Sequence, residues 1–152
     1  MEHIFAEYLE RLGAMLHEFD ELVSAVPEEA LNWSPGPEMN SLGVLVLHTV
    51  GATRFLLGDL MMDEPAERDR DRELHATDAT QGELKQRLAD VEAYAQDALS
   101  RLSLDDLAAV RQIPGRTSER TVSYALLHAL EHVGQHLGHA HITRQLWAQH
   151  NG

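Results

Sequence analysis

Apolar residues recur along the first part of the chain in alternating steps of four and three: Phe5, Leu9, Leu12, Leu16, Phe19 and Val23. That period draws one apolar stripe down an α-helix of about residues 2–25. The pattern returns over about residues 81–101 with Leu84, Leu88, Val91, Ala95, Ala98 and Leu102. There Thr80 and Glu83 form a Thr-x-x-Glu capping box at the helix start. Between these two, another helix begins near Asn40 or Ser41, either of which can cap it, and runs to about Met62. A last helix spans about Thr121 to Gln149. Pro27, Pro35, Pro37, Pro65 and Pro114 all fall outside these segments. Asp63 to Asp78 is strongly charged, with Asp69, Arg70, Asp71 and Arg72 in succession, and reads as a solvated loop without a function. Ser103-Leu-Asp-Asp106 opens one short extra turn, and Pro114-Gly115 breaks the chain before the last helix. No strand-like alternation and no repeat is visible. Four helices of roughly 30 Å can bury their stripes only against one another. The pattern therefore predicts an all-α four-helix bundle, with residues 1–152 as one domain.

Composition narrows the chemistry. Apolar residues make up 43% of the 152, enough for a core without staples. The chain has no cysteine, which excludes a disulfide framework, a thiolate nucleophile, zinc fingers and protein-bound iron–sulfur clusters. A formal charge of -13 argues against nucleic-acid and anionic-membrane partners. The opening Met-Glu-His-Ile-Phe-Ala-Glu carries acidic residues where a signal peptide has basic ones. The longest weakly polar stretch, Ser41 to Thr53, is too short to span a bilayer and contains His48. A soluble, cytoplasmic protein is expected.

The ten histidines are the compositional oddity. On the last helix, at about 100° per residue with His128 at zero, His132 falls near 40°, His136 near 80° and His139 near 20°. Four imidazoles thus share one narrow stripe, bordered by the apolar Val133, Leu137 and Ala140. Histidines at i and i+4 point the same way one turn apart, so both can reach one metal ion. His48 sits among Leu45, Ala52 and Phe55 and should point inward, where an unpartnered imidazole is costly. A metal shared with the facing helix would satisfy it. His3, His17, His75 and His150 lie near termini or on polar ground and should be exposed, while His141, near 220°, points away from the stripe and should be structural.

Several metal chemistries are excluded by spacing. The fourth residue after His17 is Glu21, so no His-Glu-x-x-His exists. Leu45, Ala129 and Val133 stand three residues before His48, His132 and His136, so the Glu-x-x-His pairs of carboxylate-bridged di-iron bundles cannot be built. Glycine-rich phosphate loops and Gly-x-Ser-x-Gly are also absent.

Asn40-Ser-Leu-Gly-Val-Leu-Val-Leu-His48 followed by Arg54-Phe-Leu-Leu-Gly-Asp59 resembles the second helix of the DinB/YfiT-like superfamily, and Leu31-Asn-Trp33-Ser-Pro35 is similar to the segment before it. Leu127-His-Ala-Leu-Glu-His132-Val-Gly-Gln-His136-Leu-Gly-His139-Ala resembles that family's last helix. The resemblance implies a bundle of up-down-down-up topology with a divalent metal held by His48, His132 and His136. Family members with known activity use small thiols such as mycothiol and bacillithiol in S-transfer or isomerisation. The family often carries Arg-Gly-Gln after the last ligand, where this chain has Leu137-Gly138-His139, so His139 stands in the glutamine's place.

Three neutral nitrogen ligands leave a coordination position open, the pattern of a catalytic site, and imidazole suits zinc and nickel alike. The expected function is a metal-dependent, thiol-dependent transferase or isomerase that draws its low-molecular-weight thiol from outside the chain. The alternatives are a metal-dependent hydrolase and a non-catalytic bundle that binds metal or a small ligand. His128, Glu131, Gln135 and His139 are candidates to orient the ligands or move protons. A small-molecule substrate, contacted near Trp33 or between Glu64 and Asp78, and a homodimer are expected.

Overall fold

The computed structural model describes residues 1–152. Four long helices carry the fold: α1 (His3–Ser24), α3 (Leu42–Arg54), α5 (Gln81–Ser100) and α6 (Val122–Asn151). Two short helices, α2 (Glu28–Asn32) and α4 (Arg70–Leu74), lie in the connections. Beyond Arg54, α3 widens without a break into a π-helical stretch, Phe55–Met62, that stops at Asp63, whose φ of 57° is left-handed. Ser41, not Asn40, is the cap of α3: its side chain accepts from the Val44 backbone N–H.

Four interhelical contacts fix the winding order. Asp20 pairs with Lys85 at 3.7 Å and Gln81 donates to the Val23 and Val26 carbonyls, so α1 and α5 run antiparallel. Met15 lies against Gly134 and Glu18 against His141, so α1 and α6 run parallel. Asn32 and Ala79, just before α3 and α5, exchange two hydrogen bonds, and Arg54 further along α3 lies over the Tyr94 ring of α5. Those two helices are therefore parallel as well. Trp33, before α3, meets Trp147 and His150 at the far end of α6, which makes α3 and α6 antiparallel. The bundle is up-down-down-up.

The apolar stripes meet at the centre, with Phe5, Leu12, Leu16, Phe19 and Val23 of α1 and Leu84, Leu88, Val91, Ala95 and Ala98 of α5 all buried. Leu9 lies at the edge of its stripe and is only partly buried; Tyr8 takes the inward place. The helix Leu42–Met62 is 21 residues long with mean hydropathy 1.4, longer than the Ser41–Thr53 stretch suggested, because it continues through the π turn. It is 72% buried against the other helices and is a core helix of the bundle, not a clear membrane span.

Two expectations, the capping box of α5 and the absence of strands, are corrected, and the short turn expected at Ser103 is present. The Thr80–Glu83 capping box is half formed: Thr80 accepts from the Glu83 backbone N–H, but the Glu83 carboxylate is taken by Arg87. A full box forms instead at Ser103 and Asp106, opening a 3₁₀ turn over Leu104–Ala108. An antiparallel hairpin, β1 (Val110–Gln112) with β2 (Glu119–Thr121), also appears around Pro114-Gly115, with Val110 paired to Thr121. Its strands are three residues long, too short to display alternation in the sequence.

Candidate metal centre

Mid-length on α6, the stripe of histidines faces His48 across the α3–α6 seam. His132 Nε2 lies 3.2 Å from His48 Nε2 and 3.2 Å from His136 Nε2. All three donor atoms fall within 4.8 Å of one another. A neutral imidazole Nε2 carries either one hydrogen or one in-plane lone pair, so His132 can satisfy only one of these two contacts by hydrogen bonding. A cation among the three satisfies all of them. Nitrogens at metal–ligand distances of about 2.0–2.1 Å and tetrahedral angles stand about 3.3–3.4 Å apart, close to the spacing here. The residues present therefore fit a divalent ion.

Electrostatics keep two of the three rings ready as ligands. Burial lowers the His132 pKa to about 3, with the neighbouring His136, His48 and His128 adding to the shift. His136 is lowered to about 4, again first by burial and then by His48 and His139. Both are neutral at physiological pH, the state a metal requires.

The far nitrogens of the rings meet three different surroundings. His48 Nδ1 lies 3.4 Å from Glu73 Oε2 and 3.3 Å from Arg68 Nη2. Arg68 in turn donates to both Glu73 oxygens, at 2.8 and 2.7 Å. Burial raises the Glu73 carboxyl, but hydrogen bonds from His48 and Arg68, with the Arg68 charge, outweigh it and hold the pKa below the ordinary carboxylate value. His136 Nδ1 is 3.4 Å from His139 Nδ1. His132 Nδ1 is buried without a protein partner.

Arg68 and Glu73 belong to the stretch Asp63–Asp78 that the sequence presents as a solvated loop, with a substrate contact as its one expected part in the site. Instead it folds back over α3 as a strap. Its base is tied down where Tyr94 donates to Glu64 at 2.6 Å and Arg101 donates to the same carboxylate. Arg54 adds a bond to the Glu64 carbonyl at 3.1 Å. The short α4 then places Glu73 against Gly51. A glycine inside a helix costs about 1 kcal/mol relative to alanine. Here a Cβ would stand 1.9 Å from Glu73 Oε1, so the carboxylate occupies the space a side chain would take. Nothing in the charged stretch distinguished Arg68 and Glu73 from their neighbours. The one trace of them in the sequence was a glycine in the middle of a predicted helix.

Of the four residues expected beside the ligands, His139 alone reaches one. His128 stacks on Tyr124 and approaches Glu131 at 3.4 Å, its ring centroid 6.1 Å from that of His132. Glu131 and Gln135 are exposed. His3, His17, His75 and His150 are exposed as expected, and His141 is bonded to Glu18 at 2.6 Å. Trp33 packs on Trp147, about 16 Å along α6 from His136 at 1.5 Å per residue. Of the two segments expected to meet a substrate, only the one between Glu64 and Asp78 adjoins the histidines. A cavity of about 530 Å³ opens on the other side of the strap, between α3 and α5, and shares Arg68 and Glu73 as its wall.

Known proteins place this architecture. A structure of a conserved protein from Enterococcus faecalis superposes with a TM-score of 0.77 at 20% identity, covering 96% of this chain and 98% of that one. A DinB-like protein from Bacillus cereus gives 0.72 at 18% identity, covering 91% and 89%. At such identities the likeness shows the fold alone. No curated protein matches the sequence. The family model of the DinB superfamily matches residues 11–140, a span that holds His48, His132, His136 and the strap. A bundle wound in this order and matched over most of its length belongs, with its histidine trio inside the matched span, to the DinB superfamily.

Proposed function

We propose that the protein is a divalent-metal-dependent enzyme, with His48, His132 and His136 holding zinc or nickel, that carries out S-transfer or isomerisation on a small molecule with a low-molecular-weight thiol as co-reactant. One observation carries the reading. The donor cluster consists of three imidazoles and no carboxylate, since Glu73, the acidic group beside it, faces the far nitrogen of His48. Three uncharged ligands leave the ion's charge undiminished and a position open. A metal held this way acts as a Lewis acid that makes water or a thiol at the open position more acidic. The chain's own residues supply the rest. His132 and His136 stay unprotonated, the strap closes over the far nitrogen of His48, and His139 links His136 to solvent. With no cysteine in the chain, the sulfur comes from a free low-molecular-weight thiol. Metal-dependent hydrolysis is the second reading, because the same open position suits water.

Cobalt substitution tests this. Sulfur-to-cobalt charge-transfer bands in the near ultraviolet arise only on direct ligation. Glutathione, mycothiol, bacillithiol and coenzyme A are added in turn to the cobalt form. Bands with one of them at micromolar concentration, lost in His132→Ala, are expected. Silence with all four and turnover of an activated ester would move the function to hydrolysis. If neither appears and the metal-free chain is a folded dimer, the bundle is non-catalytic.

A further inference from the structure

Resting on that metal reading, we propose that Glu73, seated on Gly51 and clamped by Arg68, is the positioning residue that keeps the His48 proton on Nδ1 and so leaves Nε2 free for the ion. His48 Nδ1 lies within reach of a donor and an acceptor at once, Arg68 Nη2 and Glu73 Oε2. The two contacts demand opposite tautomers. If Nδ1 accepts from Arg68, the ring proton sits on Nε2 and points at His132, where it blocks coordination. If Nδ1 donates to Glu73, Nε2 is a bare donor aimed at the other two rings.

At 3.3 and 3.4 Å the two contacts are nearly equal in length; the pairing of Arg68 and the packing of Glu73 point to the second arrangement. The Arg68 guanidinium is already engaged by both carboxylate oxygens, at 2.8 and 2.7 Å, so its charge is matched without His48. Glu73 is held by packing as well as by charge: its side chain is only 11% exposed, and its Oε1 and Cδ lie over the bare backbone of Gly51. Gly51 stands three residues after His48 on α3, on the same side of the helix. Any side chain there pushes the carboxylate away from His48. The anchors of Glu64 on Tyr94 and Arg101 limit how far the strap can shift to relieve the clash. Gly51 thus acts on the metal ligand through Glu73 without touching it.

The test uses the intact chain. Imidazole nitrogen NMR of the metal-free protein at pH 8 reports which nitrogen of His48 carries hydrogen, and zinc alone is titrated against a chromophoric chelator. Wild type is expected to hold the proton on Nδ1. Glu73→Ala moves it towards Nε2 and weakens zinc binding about 10- to 100-fold. Gly51→Ala, which leaves both Glu73 and His48 in place, gives the same two changes, and the double variant falls no further than either single one. Glu73→Gln, whose amide oxygen can still accept from Nδ1–H, retains the tautomer and loses less than Glu73→Ala. An unchanged tautomer in Glu73→Ala or Gly51→Ala would overturn the proposal, as would additive losses in the double variant. If Gly51→Ala does not fold, the contrast between Glu73→Gln and Glu73→Ala decides alone. Wild type that binds no zinc overturns the metal reading instead, and the tautomer measurement still decides the role of Glu73.

Discussion

Replacing His132 by alanine lowers the affinity for zinc by roughly 10²- to 10³-fold, and His48→Ala and His136→Ala do the same. A four-ligand structural zinc site is worth about 10–16 kcal/mol, so each ligand carries about 2.5–4 kcal/mol, which is roughly that factor in the equilibrium constant. The three should lose alike because their Nε2 atoms lie within one 4.8 Å cluster. His139→Ala should lose less, about tenfold, since it touches only the far nitrogen of His136. His128→Ala should bind nearly as wild type, because that ring hydrogen-bonds no ligand and leans on Tyr124. Chelator competition on untagged protein measures all five variants. A loss in His128→Ala as large as in His132→Ala would mean that the wrong pair on the α6 stripe has been taken as ligands.

The metal-free protein should lose stability as pH falls from about 6.5. In the unfolded chain His132 and His136 take up protons near 6.5. In the folded chain they resist protonation down to about 3 and about 4. Between those limits the unfolded state binds more protons, so stability is greatest above 6.5 and declines as pH drops towards the folded values. The window from pH 7 to 5 isolates the effect from most carboxylate titration. Urea midpoints should fall across it in wild type and stay flatter in a His132→Asn, His136→Gln variant. Equal slopes in the two proteins would refute the linkage. Metal binding follows the same logic. Between pH 5 and 6.5 an incoming ion should displace almost no protons from His132 and His136, where ordinary imidazoles would release them.

What the sequence revealed and what it hid have physical causes. The stripes of α1 and α5 and the bracketing of His132 and His136 by Val133, Leu137 and Ala140 are periodic, and periodicity survives folding because burial selects for it. His48 was legible as an imidazole among apolar neighbours. The strap was not. Arg68 and Glu73 gain their roles from a fold-back that brings position 73 against position 51, and no local pattern encodes such a contact. Glu83 likewise had the right spacing to cap α5, but a nearby arginine offers its carboxylate a stronger, charge-assisted partner. The hairpin around Gly115, with φ of 73°, escaped because its pairing depends on the turn and not on alternation.

The most direct measurement of the central claim is the coordination sphere itself. Untagged protein loaded with zinc or nickel and washed free of excess is analysed for metal content and by X-ray absorption at the metal edge. The account predicts one ion per chain, surrounded by three imidazole nitrogens at about 2.0–2.1 Å for zinc, with the remaining position taken by a light exchangeable ligand. Substoichiometric metal, fewer than three imidazoles, or a carboxylate in place of one of His48, His132 and His136 would contradict it.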